Sequence, residues 1–487
     1  MTESAIDDVA TDVAVPRALT GADLQRLGRG LPAMFDVTLV TDAGPATLHC
    51  EMVLRVLPGR RIVVRARLDG VVVLAKLFVG SRASAELLWE ERGHAAFVSA
   101  GVAAPPLIAR GSLIDGGEAL LFEFLDGAAP ISEADLLQTI PILARLHAHG
   151  VVQNDLHLGN LLRDARGLFL VDGGSVSGMG SDKPLSMRAS IRNLALFLAQ
   201  FGIRAEPKLV AAWHTYAVAR SFKTIDADAG ALIEAVHRER RTRVRAYLRK
   251  VLRSCSEFYT ERRFRRFLVC DRASFEGNVA SMIEDIDTQF ERGVVIKAGD
   301  KASVVRLYID GAAFVIKRYN SRSWRRRLMR LWRPTHARRA WQNVHRLRLL
   351  GIQTFVPVAL IEHRFGPLRG RAYLVMRDVG GIDLRERFCR GHIQSLVALF
   401  ADLFRAGLVH GETEATNFID VTGAIHLIDL DAMRSPWTKR GLRRGAAADL
   451  ERFVANWPES ATIRAALDRG FQSLKALTAA SSARHTR

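Results

Sequence analysis

The feature that most constrains the fold of this chain is an internal repeat. Residues 151–160 read VVQNDLHLGN, residues 408–417 read LVHGETEATN, and a hydrophobic stretch follows each. Three matched pairs of polar residues lie at a constant separation of 257 residues (412 − 155): Asp155 with Glu412, Asn160 with Asn417, and Asp172 with Asp429. A repeat kept in strict register indicates an internal duplication. Because a chain of 487 residues is also long for one hydrophobic core, two similar domains are predicted.

The predicted secondary structure runs in the same order in both halves. In the first half, β-branched runs on either side of Asp69-Gly70 predict a hairpin over 61–80. A helix at 83–100, a strand at 119–125 and a helix ending at Gly150 follow. The second half repeats this order with a hairpin around Asp310-Gly311, a helix at 336–351, a strand at 372–379 and a helix at 392–407. The fold class is therefore predicted as α+β, in two tandem copies.

The predicted domain boundaries follow from this order. A disordered N-terminus is expected over 1–25, a first domain over 26–285 and a second domain over 286–487. The first domain includes a helical and basic extension over 201–285.

The charge of the chain favours an anionic partner. Lys and Arg number 70 against 51 Asp and Glu, which gives a formal net charge of +19. Nucleic acid, an acidic membrane surface or a phosphorylated substrate would suit this charge. The four cysteines are scattered without zinc-ligand spacing, the apolar runs are too short to span a bilayer, and the N-terminus does not resemble a signal peptide. We therefore expect a cytoplasmic chain without a zinc site or a disulfide framework.

The first copy carries, in chain order, the groups that phosphoryl transfer from ATP requires. Lys76, in the predicted strand VLAKLF, is suited to grip the α- and β-phosphates. A glutamate on the next helix holds such a lysine in place; Glu90 is the preferred candidate, and Glu86 and Glu91 remain alternatives. Asp155 is suited to accept a proton from the attacking hydroxyl or to orient it.

Further residues of the first copy complete the predicted site. Asn160 and Asp172 match the amide and the carboxylate that hold Mg²⁺. Glu123, near the end of the predicted strand 119–125, is a candidate nucleotide-binding residue. His157 either takes part in catalysis or organises the loop through hydrogen bonds, and the second role is favoured.

With these motifs, the sequence resembles the protein-kinase-like superfamily. More narrowly, it is similar to the bacterial lipopolysaccharide core kinases, which phosphorylate heptose or Kdo sugars. The stretches that carry the resemblance are NDLHLGNLL and VDGG in the first half and HGETEATNF and HLIDLDAM in the second. The resemblance covers most of 50–200 and 290–455. It implies two protein-kinase-like domains, each with a small β-rich N-lobe and a helical C-lobe, that use ATP and Mg²⁺.

The second copy departs from the pattern at two catalytic positions. Glu412 replaces the aspartate, and a carboxylate misplaced by roughly 1 Å can cost on the order of 100-fold in rate. The helix after Lys317 offers no acidic partner, although Asn343 could contribute a hydrogen bond. This domain is expected to be weak or inactive as a catalyst, with Glu412 as its remaining catalytic carboxylate.

The metal-binding pair of the second copy is retained. Asn417 and Asp429 are predicted to hold the metal, with assistance from Asp431, and Lys317 and Asn417 are predicted to contact nucleotide. Neither copy has a G-x-G-x-x-G loop before its lysine; the corresponding stretches are LPGRR (57–61) and KAGDKAS (297–303). Gln153 stands where the resembled family usually has histidine.

Two segments are strongly basic. The stretch SRSWRRRLMRLWR (321–333) either forms an interfacial helix on an anionic membrane or packs its tryptophans on the second N-lobe. The stretch 238–253 is expected to be a helix with a basic side that faces solvent or substrate.

The resemblance implies an ATP-dependent phosphotransferase that acts on a sugar hydroxyl of lipopolysaccharide core or a related lipid-linked saccharide. Catalysis is expected mainly from the first domain, with the protein cytoplasmic or peripheral on the inner membrane. The alternative is a tandem pseudokinase, a scaffold that binds nucleotide and regulates envelope polysaccharide enzymes. Phosphorylation of a protein or a small soluble acceptor is a further alternative. Nucleic acid is not an expected partner, because no RNA-binding module is visible and aromatic residues make up only 7%.

Overall fold

The chain folds into two compact units. The computed structural model describes residues 17–180, 183–222, 226–277, 279–320, 334–366 and 368–479. Unit 1 comprises the described residues up to Gln200 together with 208–237, and unit 2 comprises 201–207 together with the described residues from Arg238 onward. The basic segment 321–333 lies outside the described residues.

Unit 1 begins with a sheet of seven strands. They are β1 (Arg17–Leu19), β2 (Phe35–Thr41), β3 (Gly44–Leu57), β4 (Arg61–Leu68), β5 (Val71–Phe78), β6 (Leu107–Leu113) and β7 (Glu118–Glu123). Their order is β1-β2-β3-β4-β5-β7-β6, and β6 also pairs with β2, which closes the strands into a ring. Buried aliphatic side chains such as Leu48, Val64 and Ala75 fill its interior.

The helices of unit 1 mostly follow this sheet in the chain. They are α1 (Gly21–Leu27), α2 (Ala83–Ser99), α3 (Leu136–Ala148), α4 (Met187–Leu198), α5 (Leu209–Ala219) and the first part of α6 (Asp226–Lys250), which belongs to unit 2 from Arg238 onward. Five short strands lie among them: β8 (Ala129–Pro130), β9 (Val152–Gln153), β10 (Leu161–Asp164), β11 (Gly167–Leu170) and β12 (Val176–Ser177). Helix α2 packs on the sheet through Leu87 against Phe78 and Leu120. The unit thus has a β-rich lobe followed by a helical lobe.

Unit 2 is built in the same way. Its sheet contains β13 (Phe258–Arg262), β14 (Arg266–Asp271), β15 (Val294–Lys297), β16 (Ala302–Ile309), β17 (Ala312–Tyr319), β18 (Pro357–Phe365) and β19 (Leu368–Arg377). Three short strands form a second sheet: β20 (Ile382–Asp383), β21 (Phe418–Val421) and β22 (Ala424–Leu427). The helices are α7 (Arg272–Glu276), α8 (Val279–Glu284), α9 (Ile286–Arg292), α10 (His336–Leu349), α11 (His392–Arg405), α12 (Lys439–Val454), α13 (Ala461–Gly470) and α14 (Gln472–Ala479).

The two faces of the large sheet in unit 2 are covered by different helices. Trp341 of α10 packs with Leu360 and Leu374 on one face. Met282 of α8 packs with Ile361 on the other face. Because both faces are covered, the central strands are buried on both sides.

The predicted hairpins are present in both units. Strand β4 pairs with β5 across Asp69-Gly70, and β16 pairs with β17 across Asp310-Gly311. Both residues of each turn have positive φ, 48° and 83° in the first and 46° and 77° in the second. Two-residue turns of this kind match the twist of the flanking strands, so each lysine-bearing strand is fixed in register with its neighbour.

The division of the chain differs from the predicted one in two places. The boundary between the units falls near His237, and β13 and β14 join the sheet of unit 2, although both strands were assigned to the first domain. Strand β1 pairs with β2, so residues from Arg17 onward are ordered rather than part of a disordered lead-in. Strand β1 and the pair β13 and β14 gain backbone hydrogen bonds from their partner strands. A local sequence pattern does not reveal these pairings, some of which join strands that are distant in sequence.

Candidate active site

The lysine of unit 1 is held by a glutamate from the neighbouring helix. The Nζ atom of Lys76, on β5, contacts Oε1 of Glu90, on α2, and both side chains are buried. The two alternative glutamates have other partners: Glu86 pairs with Arg60 at 2.6 Å, and Glu91 lies 3.5 Å from Arg110. Glu90 is therefore the glutamate that contacts Lys76.

A hydrogen-bonded loop positions Asp155. The side-chain amide of Gln153 donates to the carbonyl of Asp172 at 2.7 Å, and its oxygen accepts from the backbone N–H of Asp155 at 3.0 Å. Asn160 donates to the carbonyl of Asp155 at 2.9 Å. The backbone of Asp155 is thus fixed while its side chain is exposed. Nδ1 of His157 accepts from the N–H of Gly159 at 3.2 Å, which agrees with the loop-organising role.

The predicted metal-binding carboxylate of unit 1 lies against two cations. Oδ1 of Asp172 is 3.7 Å from Lys76 Nζ and 3.5 Å from Nη1 of Arg61, the first residue of β4. Arg61 also donates to Oε2 of Glu90 at 3.2 Å. Burial raises the pKa of Asp172, but the charges of Lys76 and Arg61 outweigh it and leave the pKa below its usual range.

Glu123 is the last residue of β7, and its side chain is directed to another partner. Its carboxylate pairs with Arg166 at 2.7 Å. Its backbone N–H donates to the carbonyl of Pro106 at 2.9 Å. A role in nucleotide binding remains a prediction for this residue.

Unit 2 repeats the loop with histidine in place of glutamine. Nδ1 of His410 accepts from the N–H of Glu412 at 3.3 Å, and Nε2 lies 3.3 Å from the carbonyl of Ile428. Asn417 donates to the carbonyl of Glu412 at 3.0 Å. Gln153 and His410 thus bond to the same backbone N–H position in their loops, whereas the carbonyl that Gln153 contacts is that of Asp172 and the carbonyl near His410 is one residue before Asp429.

The lysine of unit 2 has a different partner. Lys317, on β17, forms an ion pair with Asp429. The amide nitrogen of Asn343 donates to the carbonyls of Leu430 and Met433, and the described hydrogen bond of Lys317 goes to Asp429 and not to the amide oxygen of Asn343. Helix α2 is followed by Gly101 and helix α10 by Gly351. Glu90 lies 11 residues before the first glycine (101 − 90), and Ala340 lies 11 residues before the second (351 − 340). An alanine at this position cannot form an ion pair with the lysine.

Three carboxylates of unit 2 converge. Oxygens of Glu412, Asp429 and Asp431 all lie within 4.8 Å of one another. Burial raises the pKa of Asp429 to about 6, against the opposing charge of Lys317 and with a further contribution from Asp431. Burial also acts on Asp431, but His336, Lys317 and the hydrogen bond from Asp429 place its pKa well below the usual range. When the pair takes up a proton as the pH falls to about 6, that proton therefore resides mainly on Asp429.

The two units differ in how well their residues fit a divalent cation. The carboxylates of unit 2, with Asn417 beside them, offer oxygen ligands of the type that Mg²⁺ prefers, and one lysine faces them. In unit 1, Asp172 is already engaged by Arg61 and Lys76, so Asn160 and Asp172 do not fit a divalent cation as they stand.

Sequence reasoning missed two residues that hold the loops. Buried Asp449, on α12, accepts from the N–H groups of His410 at 2.7 Å and Gly411 at 3.0 Å. In unit 1, Asn193 on α4 donates to the carbonyl of Gln153 at 2.9 Å. A polar residue on the apolar stripe of each following helix, in IRNLALFL and AAADLERFV, is the signal that identifies them.

The basic residues of 238–253 are helical as far as Lys250, where α6 ends. Arg240 of this segment pairs with Glu206 at 2.8 Å.

Within the described residues, no helix has both the length and the apolar character needed to cross a membrane. The proposed interfacial helix at 321–333 lies outside those residues and remains a prediction.

Comparison with known protein families gives a match to a family of kinases. Residues 298–467, all within unit 2, match the model of the lipopolysaccharide kinase (Kdo/WaaP) family. No curated protein matches the sequence. Among solved structures, WaaP in complex with acyl carrier protein is 21% identical, with 43% of this chain and 95% of that chain covered and a TM-score of 0.30. The kinase domain of Mycobacterium tuberculosis PknI is 17% identical, with 39% and 86% covered and a TM-score of 0.24. The aminoglycoside phosphotransferase APH(4)-Ia is 9% identical, with 40% and 83% covered and a TM-score of 0.25.

Proposed function

We propose that this chain is a phosphotransferase that transfers phosphate from ATP to a sugar hydroxyl of lipopolysaccharide core or a related lipid-linked saccharide, because residues 298–467 match the model of the lipopolysaccharide kinase family. The observation that carries the proposal is the family match in unit 2. The repeated arrangement of lysine, carboxylate, asparagine and aspartate extends it to unit 1.

We assign catalysis mainly to unit 1. This unit combines the buried Lys76–Glu90 pair with an exposed Asp155 on a fixed loop. The carboxylate of Asp155 takes the proton of the sugar hydroxyl. The hydroxyl oxygen bonds to the terminal phosphorus of ATP, and the bond from that phosphorus to the ADP oxygen breaks. Lys76 holds the phosphates, and positive charge beside them offsets the charge that develops during transfer.

Unit 2 is assigned a binding role for nucleotide and divalent cation. Asn417, Asp429 and Asp431 would hold Mg²⁺, which supplies charge neutralisation at bound phosphates. The ion pair of Lys317 with Asp429, together with Ala340 at the position of the helix glutamate, favours weak or no catalysis there.

A second candidate function rests on that same ion pair. If unit 1 is also inactive, the chain is a tandem pseudokinase that binds nucleotide and regulates enzymes of envelope polysaccharide synthesis. Retention of the complete set Lys76, Glu90 and Asp155 in unit 1 favours the enzyme.

The proposed partner is an anionic, lipid-linked sugar. A net charge of +19 suits the phosphorylated core of lipopolysaccharide and the acidic lipids of the inner leaflet. We therefore propose a cytoplasmic protein that is peripheral on the inner membrane.

The test is ATP consumption by the full chain with lipopolysaccharide precursors, followed by mass spectrometry of the acceptor. The proposal expects a mass increase of one phosphate group on a core sugar. ATP binding without phosphate on any saccharide acceptor would instead favour the scaffold function.

A further inference from the structure

An arginine lies inside the predicted phosphate site of unit 1. The side chain of Arg61 is only 13% exposed, and its Nη1 atom lies 3.2 Å from Glu90 and 3.5 Å from Asp172. Its Nε atom is buried and has no hydrogen-bond partner. The guanidinium group is therefore held beside Lys76 with part of its donor capacity unused.

The strand register identifies the matching position in unit 2. Arg61 pairs with Phe78, two residues after Lys76, and Ala302 pairs with Tyr319, two residues after Lys317. Unit 2 thus has a methyl group where unit 1 has a guanidinium group. The difference changes the charge of the site without changing the strands that carry it.

The charges of the two sites follow from this difference. In unit 1, Lys76 and Arg61 face the two carboxylates of Glu90 and Asp172, so the four formal charges cancel. In unit 2, Lys317 faces Asp429 and Asp431, which leaves one negative charge in excess even before the matched carboxylates Asp155 and Glu412 are counted. The second site therefore has one more negative charge available for a divalent cation than the first.

The residue that matches Asp431 also differs. Gly174 stands 257 residues earlier (431 − 174), and a Cβ atom on it would lie 2.9 Å from Oε2 of Glu90 and 3.6 Å from Nη1 of Arg61. The space of a third carboxylate in unit 1 is therefore taken by the Glu90–Arg61 pair. Relative to unit 2, unit 1 has Arg61 in place of an alanine and Gly174 in place of an aspartate. Both differences make the site of unit 1 more positive.

We propose that Arg61 is a phosphate-binding residue that supplies in unit 1 the positive charge of a divalent cation, so that this unit binds ATP without one. The inference rests on the proposed function, since it requires a nucleotide beside Lys76. A guanidinium group can contact two phosphate oxygens at once and stays charged at every physiological pH, which suits it to this role.

The proposal is tested by calorimetric titration of the full chain carrying Lys317→Ala, a change that is expected to abolish nucleotide binding by unit 2. ATP is titrated first in EDTA and then with Mg²⁺. The expected result is one ATP bound in EDTA, with an affinity within about threefold of that in Mg²⁺, because the four charges of unit 1 already balance.

Arg61→Ala in the same background is expected to weaken binding of ATP in EDTA by about tenfold or more, the loss of one charge-assisted contact. Arg60→Ala is the matched control, because Arg60 is adjacent, pairs only with Glu86 among the described contacts of its side chain, and removes the same charge. Its ATP affinity in EDTA is expected to stay unchanged.

Three results would overturn the inference. ATP binding that requires Mg²⁺ in the Lys317→Ala chain refutes the role of Arg61 and leaves the kinase function standing. Equal losses of ATP affinity in Arg61→Ala and Arg60→Ala would show that Arg61 acts only through its positive charge and not through a contact with phosphate. No ATP binding in either buffer refutes nucleotide binding by unit 1 and with it both proposals. The first titration decides the matter even if Arg61→Ala does not fold.

Discussion

Asp172 and Asp429 share a backbone conformation that residues other than glycine rarely adopt. Their φ angles are 70° and 55°, in the left-handed region. Such a conformation costs on the order of 1–3 kcal/mol and persists only where surrounding contacts hold it. Here the side chains of Gln153 and His410 bond to the carbonyls of Asp172 and Ile428. The same strain in both units indicates that the position of this carboxylate matters in each.

At this residue scale, the pair Lys76–Glu90 gives the first prediction. Glu90→Ala leaves Lys76 without its glutamate and is expected to lower kcat/KM for ATP by about 10- to 100-fold. Glu91→Ala is the control, since Glu91 is on the same helix and faces Arg110. Steady-state kinetics of both variants checks this, and similar losses in the two would contradict the assigned role of Glu90.

A buried histidine of unit 1 gives a second prediction, about stability. His147 bonds to Asn193 and Tyr216, and burial lowers its pKa to about 4, with a further contribution from Arg220. The unfolded chain takes up a proton as pH falls below about 6.5 while the folded unit does not, so stability is lost at about 1.4 kcal/mol per pH unit between pH 6.5 and 4.

The variant His147→Gln tests this pH dependence, because glutamine retains hydrogen-bonding groups but does not titrate. Calorimetry at pH 7 and 5 is expected to show an unfolding transition of unit 1 that loses about 2 kcal/mol less in the variant than in the parent chain. An identical loss in both proteins would show that His147 does not control the acid sensitivity of this unit.

Spacing in the sequence locates Asp155, Asn160 and Asp172 at matched positions of the repeat, and their roles in the site remain predictions. It was insufficient for Arg61, which lies 111 residues before Asp172 and meets it only through the register of β4 with β5. Asp449 was missed for a similar reason, since its contact with His410 joins a loop to a later helix.

At the scale of elements, the two hairpins were predictable because Asp-Gly between β-branched runs has a specific turn conformation. Strands β13 and β14 were not predicted. The stretch RFLVCD of β14 is a short apolar run, which periodicity alone does not distinguish from a buried helix. Its partner β13 carries the charged sequence FYTER, which hides the alternation of an edge strand.

The turn of the first hairpin gives a prediction with an internal control. Gly70 has φ of 83° and open space around its Cα, so Gly70→Ala is expected to cost about 1–2 kcal/mol for the left-handed conformation alone. Gly230 lies within helix α6, also with open space, and Gly230→Ala is expected to stabilise by about 1 kcal/mol. Urea unfolding of both variants measures the difference, and changes of the same sign would refute the assigned turn conformation.

At the scale of the whole molecule, charge determines the proposed association with membranes. The net charge of +19 predicts binding to vesicles that contain anionic lipid, with a steep decrease as salt rises, because exposed charges are screened. Sedimentation with anionic and neutral vesicles at low and high salt checks this. Equal binding to both kinds of vesicle would contradict an electrostatic association.

The family match and the more complete catalytic set lie in different units. Unit 2 matches the lipopolysaccharide kinase model, whereas unit 1 keeps the lysine–glutamate pair and the aspartate. We interpret this as a division of labour, in which unit 1 carries out the transfer and unit 2 binds nucleotide with a divalent cation.

Single-turnover phosphate transfer to lipopolysaccharide core by the full chain tests this division most directly. Asp155→Ala is expected to lower the rate by about 100-fold or more, since it removes the proton acceptor, and Glu412→Ala by less than about tenfold. Equal losses from the two changes, or a larger loss from Glu412→Ala, would contradict the assignment of catalysis to unit 1.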